Sequence, residues 1–265
     1  MKRKLVIPFL FLVAFILIIG LACNAVSSDT PAPAEPVLAP IEEPAAPVEE
    51  VASPLPPPPT DTPAPVYQEF YTENFTGDTS PWTYFLIDAN RATPTYVEKD
   101  FGKISVGVEN DRLVFQLESE GQWAYVTYDA FEYENVKLEV VAENRGENNN
   151  VSLICRYTDE GWYEFNIANN GLYDIYYAQK LDNDKIVYNP LKNGGSNKIK
   201  SGKEVNIYGI VCNDKTLTLY VNGNETISFD ENQYALRKGA VGVSVASFYD
   251  LPVRVEFDTI TISQP

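Results

Sequence analysis

The chain has 265 residues, with 20 lysines and arginines against 37 aspartates and glutamates, a net charge of −17 at neutral pH and no histidine. So acidic a balance excludes nucleic acid as a partner, because binding phosphates needs basic patches, and suits neutral or cationic partners, divalent cations included. The missing histidine excludes histidine triads, histidine general bases and histidine metal ligands at once, leaving carboxylates, tyrosine, lysine or a bound metal for any chemistry.

The chain opens on Met1-Lys2-Arg3-Lys4, followed by an apolar run from Leu5 to Leu21. A basic start, an apolar stretch and then small residues form an export signal. The run is also about long enough to cross a bilayer. With Lys2, Arg3 and Lys4 kept inside, either reading sends the acidic remainder across the membrane. Gly20-Leu21-Ala22-Cys23 resembles the bacterial lipoprotein box, although an aliphatic residue is usual where Gly20 stands. Residues 1–23 are therefore expected to be a lipoprotein-type signal with Cys23 lipidated, which makes the protein extracytoplasmic and tethered at the cell surface. A plain anchor helix is the competing expectation. Two or more acyl chains anchor stably where a single one holds weakly.

Residues 24–66 are rich in proline, alanine and glutamate and include Pro56-Pro57-Pro58-Pro59. Such a segment cannot bury a core and favours extended polyproline II, with a reach of roughly 130 Å. It is expected to be a disordered stalk.

Residues 67–265 carry nearly all the aromatic residues and have the length of one domain. Short alternating runs follow one another: Val151–Tyr157, Trp162–Ala168, Tyr173–Ala178, Val205–Val211, Leu217–Val221, Val241–Ala246 and Val253–Ile262. Between them stand Asp159-Glu160-Gly161, Asn169-Asn170-Gly171 and Asn222-Gly223-Asn224, the signatures of hairpin turns. No segment keeps a helical period. The pattern predicts an all-β domain, an antiparallel two-sheet jelly-roll sandwich. Cys155 and Cys212 form an even pair outside the cytoplasm and are expected to make a disulfide.

The order of these motifs carries a resemblance. Leu153-Ile154-Cys155-Arg156-Tyr157 leads through a tight turn to Trp162-Tyr163-Glu164-Phe165-Asn166-Ile167. Later come Leu217-Thr218-Leu219-Tyr220-Val221-Asn222-Gly223, Gly239-Ala240-Val241-Gly242-Val243 and Val255-Glu256-Phe257-Asp258. Together they resemble the concanavalin A-like lectin and glucanase jelly rolls. The nearest branch is that of laminin-G-like and 3-keto-disaccharide-hydrolase-like domains of bacterial surface lipoproteins. The resemblance implies contact with carbohydrate, but this fold hosts lectins, hydrolases and inert modules alike. The glucanases of the superfamily place same-face carboxylates on one strand as nucleophile and acid. Neither Glu132 with Glu134 nor Glu118 with Glu120 reproduces that motif.

The alternation puts Tyr163, Phe165 and Ile167 in the core and leaves Trp162, Glu164 and Asn166 on the outer face. Arg156 joins Glu164 there if the two strands pair as a hairpin, with Trp123, Tyr125, Asp174 and Tyr176 nearby. An aromatic ring stacks on the C–H face of a sugar, while arginine, asparagine and carboxylate groups bind its hydroxyls. Arg156, Trp162, Glu164, Asn166, Trp123 and Tyr176 are thus the expected ligand-binding residues. The alternative is a cross-strand ion pair of Arg156 with Glu164, and Trp162 capping the sandwich edge. The resemblance also implies a structural Ca²⁺ where the first and last strands meet, with Glu73 and Asp258 as its carboxylates. The sequons at Asn74, Asn150 and Asn224 are incidental in a lipoprotein. These expectations describe a monomeric, non-catalytic carbohydrate-binding or adhesion lipoprotein whose partner is a poly- or oligosaccharide. Its rivals are a glycan-acting enzyme of the 3-keto-glycoside hydrolase type and a structural or protein-interaction module of the envelope.

Overall fold

The computed structural model describes residues 66–98, 101–146 and 149–265. The expected signal segment, Cys23 and the expected proline-rich stalk up to residue 65 lie outside the described residues.

Within them the chain is all strand and turn. It begins with β1 (Tyr71–Glu73), β2 (Trp82–Asp88), β3 (Thr95–Val97), β4 (Ile104–Glu109) and β5 (Arg112–Leu117). The long strands β6 (Gln122–Tyr133), β7 (Val136–Asn144), β8 (Asn149–Thr158), β9 (Gly161–Ala168), β10 (Leu172–Lys180) and β11 (Ile186–Gly195) follow. Last come β12 (Val205–Asn213), β13 (Thr216–Val221), β14 (Asn224–Asp230), β15 (Gly239–Ser247) and β16 (Val253–Ser263).

The strands form two eight-stranded antiparallel sheets. One runs β14-β13-β12-β7-β16-β5-β4, with β1 added on β16; the other runs β11-β10-β9-β8-β15-β6-β2-β3. This is the expected jelly-roll sandwich. Turn chemistry sets the hairpins. Asn222 and Gly223 both take positive φ between β13 and β14, as do Asn110 and Asp111 between β4 and β5, the geometry that matches strand twist in a two-residue loop.

Period-two alternation builds the core between the sheets. On β7 every second residue is buried, from Val136 through Leu138, Val140 and Ala142 to Asn144. These face Val151, Leu153 and Cys155 of β8, Tyr163, Phe165 and Ile167 of β9, and Val241, Val243 and Val245 of β15 in one apolar cluster. The predicted disulfide is present. Cys155 on β8 and Cys212 on β12, both fully buried and with Cα atoms 6.7 Å apart, tie one sheet to the other through that core.

The second sheet also buries part of its other face. Its edge strands, β3 and β11, meet: Thr95 bridges to Lys185, the Tyr96 amide donates to the Asp184 carbonyl, and the Ile186 amide donates to the Pro94 carbonyl, both at 2.8 Å. The sheet therefore curls until its two ends touch, and what the alternation marks as an outer face becomes the inside of a concavity. There Phe85, Ile87, Tyr125, Ile154, Trp162, Ala178 and Ile186 form a second, smaller apolar cluster.

Candidate functional site

Strand register places the side chains of this concave face in rows. One row crosses the sheet as Phe85, Tyr125, Ser244, Ser152, Asn166 and Asp174 on β2, β6, β15, β8, β9 and β10. The next row toward the closed side holds Ile154, Glu164 and Tyr176, and the next toward the open side Ile87, Trp123, Ala246 and Asn150. The central strand, β15, sends its valines to the core and only Gly242, Ser244 and Ala246 to this face. Small residues at the centre with large ones around them leave a hollow. A cavity of about 450 Å³ results, walled by Trp123, Tyr125, Tyr176 and Tyr188, with Glu164, Asn166, Asp174 and Asn150 among its polar groups.

Glu164 is the best-held of these groups. Its Oε1 accepts from the Ser152 hydroxyl at 2.8 Å; its Oε2 accepts from the Tyr125 hydroxyl at 2.9 Å and from Trp162 Nε1 at 3.0 Å. Asn166 Nδ2 donates to the same Ser152 oxygen at 3.1 Å, so Ser152 couples the amide to the carboxyl. All these donors are neutral, and burial outweighs them, raising the Glu164 pKa above the ordinary carboxylate range. Tyr125 and Tyr188 are raised well above the usual phenol by burial and by the Glu164 charge, and burial raises Asp174 as well. The arrangement supplies a fixed buried carboxyl, amides and an aspartate as hydrogen-bonding groups, and aromatic walls for apolar faces.

The structure brings together most of the residues expected from sequence. Trp123, Glu164, Asn166 and Tyr176 line one cavity, with Tyr125 and Asp174 beside them. Trp162 is corrected. It shares the face of Glu164 but is only 1 % exposed, covered by Phe85, Tyr125 and Tyr157, and it acts by holding Glu164 from beneath. The reason is the curl of the sheet, which turns the outer side of β9 into an interior.

Arg156 is also corrected. The β8–β9 register breaks between Cys155 and Thr158, and Arg156 sits in that bulge with a φ of 55°. Its side chain is thereby turned from the concave face. The buried guanidinium donates to the carbonyls of Leu236 at 2.6 Å, Asp214 at 2.6 Å and Glu134 at 3.2 Å, stitching three loops together. No ion pair joins it to Glu164.

Glu73 accepts from the Phe75 amide, the Tyr71 hydroxyl and Trp82 Nε1, whereas Asp258 lies 3.3 Å from Arg112. Among the described residues no group of three or more acidic or cysteine side chains is gathered to hold a metal.

Tyr188, Asn150, Ser152, Phe248 and the Thr93–Pro94 segment belong to the site without having been singled out for it. Ser152 was legible in principle, since it lies two residues from Ile154 on the face opposite Leu153. Tyr188 and Thr93 come from strand edges and loops whose meeting no local pattern announces.

Residues 74–263 match the family model of the 3-keto-alpha-glucoside-1,2-lyase-like domain. No curated protein matches the sequence. Among solved structures, the chain resembles a family 16 glycoside hydrolase of Bacteroides ovatus with a TM-score of 0.52 and 12% identity, covering 73% of this chain and 99% of that one. It resembles a laminarinase from a Flavobacterium species at 0.51 and 14%, covering 74% and 100%. A β-glucanase of Bacillus licheniformis follows at 0.50 and 13%, covering 75% and 99%. At such identities the likeness is one of fold.

Proposed function

Since the chain belongs to the family of 3-keto-alpha-glucoside-1,2-lyase-like domains, we propose that it binds an α-glucoside unit, native or oxidised at C3, in the concave cavity. The observation that carries this reading is the convergence of Glu164, Asn166 and Asp174 with the Trp123, Tyr176 and Tyr188 rings around one hollow. Sugars offer apolar C–H faces and a rim of hydroxyls, and a mostly apolar pocket with a few fixed polar groups matches both. Binding can be followed by calorimetric titration with α-glucosides and their 3-keto forms. Trp123→Ala and Asn166→Ala should each weaken it by about tenfold or more. Unchanged affinity in both variants would reject the site.

A second reading, elimination from a 3-keto-glucoside, is favoured by one feature, the buried Glu164 carboxyl at the cavity wall, whose pKa burial raises. A carboxyl whose pKa is raised is a stronger base once ionised. The C3 carbonyl acidifies the C2 proton, which passes to the carboxylate. The C2–H pair becomes the C1–C2 double bond, and the C1–O bond breaks with its electrons on the leaving oxygen, which takes up a proton. Formation of the conjugated enone from a 3-keto-α-glucoside, lost in Glu164→Gln, tests this reading; retention of the intact glucoside leaves the binding role alone.

The N-terminal segment adds a location to the proposal: a lipoprotein held at the cell surface through Cys23 and a proline-rich stalk. Incorporation of labelled palmitate, abolished by Cys23→Ala, checks it.

A further inference from the structure

The cavity at Glu164 has a closed end. On the side away from Trp123, the Phe85 ring packs 5.9 Å from Trp162, 5.3 Å from Tyr157 and 5.6 Å from Tyr96, in an apolar cluster that buries Phe85 and Trp162. The junction of β3 with β11, whose Pro94 and Ile186 line the cavity, joins the two walls through main-chain hydrogen bonds. A polymer lying across a sheet needs a groove open at both ends, and this one is plugged. At the opposite end the walls are Trp123 and Phe248. The same two residues line a second hollow of about 200 Å³, which also includes Asn90, Glu120 and Tyr249. Tyr249 is 84 % exposed, so its ring is presented to solvent and not packed away. Asn90 beside it is fixed, its Nδ2 donating to the Glu120 carbonyl at 2.8 Å and its side chain lying against Gly121.

We propose that the protein recognises the end of a glycan. The terminal unit enters the closed cavity end-on, and the next unit lies on the shelf formed by Trp123, Phe248 and Tyr249. This rests on the α-glucoside reading above and sharpens it from a sugar class to a mode of binding. Phe248 and Trp123 act at the boundary between the two positions, each offering a ring to either side. The chain then leaves past Tyr249 into solvent, so units beyond the second contribute little.

Calorimetric titration of the protein with methyl α-glucoside, maltose, maltohexaose and cyclomaltohexaose separates these ideas, because the last has the same linkage as maltohexaose and no ends. Maltose and maltohexaose should bind alike and about tenfold more tightly than methyl α-glucoside, the gain expected of an added aromatic platform. Cyclomaltohexaose should not bind, and Tyr249→Ala should bring maltose down to the affinity of methyl α-glucoside. Equal binding of the cyclic and linear hexamers would overturn end recognition. Equal binding of methyl α-glucoside and maltose, or a Tyr249→Ala variant that keeps the preference for maltose, would overturn the second position. Failure of all four sugars to bind would reject the α-glucoside reading, and the proposal with it.

Discussion

The Tyr125 hydroxyl donates to Oε2 of Glu164 at 2.9 Å and lies 2.8 Å from the Tyr188 hydroxyl, linking β6, β9 and β11 through one buried carboxyl. Because Tyr125 directs its proton to Glu164, Tyr188 is the donor in the second bond. Glu164 thus terminates a chain of neutral donors.

That burial gives the stability of the domain a pH dependence. The folded pKa of Glu164 lies above its unfolded value, so its stabilising contribution is complete below the ordinary carboxylate range and is lost as pH rises through the folded pKa. Glu164→Gln, neutral at every pH, should melt higher than the parent at about pH 8 and match it at about pH 4. Thermal unfolding across this range checks the sign; a variant that melts lower at the alkaline end contradicts it.

Arg156→Met should destabilise the fold by about 3 kcal/mol, because the carbonyls of Leu236, Glu134 and Asp214 lose together the one buried charged donor that joins them. Urea titration measures the loss. Sugar affinity of the folded fraction should stay as in the parent, since the guanidinium faces the loops at residues 134, 214 and 236.

Removing the inter-sheet bridge with Cys155→Ala and Cys212→Ala frees a loop spanning 57 residues, worth about 4 kcal/mol in the chain-entropy account. The denaturation midpoint of the double variant should fall accordingly, and reduction of the parent under denaturing conditions should prevent its refolding to the same stability.

Ala246→Tyr fills the floor of the cavity from the centre of the sheet, between Trp123 and Asn150. Because the new ring enters existing space, the melting temperature should move by only a few degrees, whereas sugar binding should be lost. Loss of both would mark the site as packed core.

Where function follows the simple alternation of a strand, the sequence is a good guide. Tyr163, Phe165 and Ile167 go to the main core, and Asn166 and Glu164 to the opposite face, because β9 is regular throughout its length. Trp123 and Tyr176 join them because the neighbouring strands pair in phase. Two features break the local rule. A single extra residue in the β8–β9 hairpin turns Arg156 from one face to another, and period two holds no record of a bulge. Trp162 fails for a different reason, since alternation tells which side a residue takes and not whether that side meets water. The covering of Trp162 depends on Tyr157 and on the meeting of β3 with β11, which lie some ninety positions apart. The cysteine pair was legible because only two cysteines belong to the domain.

Where Tyr96 and Ile186 take the carbonyls of Asp184 and Pro94, the concave sheet meets itself, and the rest of β11 is an edge that carries Pro190 and Lys192. The other sheet ends in β4, the three-residue β1 and β14, and β4 and β14 carry Glu109, Glu225 and Asp230. Charges on an edge strand discourage main-chain pairing between copies. Molecules crowded side by side should therefore remain separate bodies and not stack into ribbons.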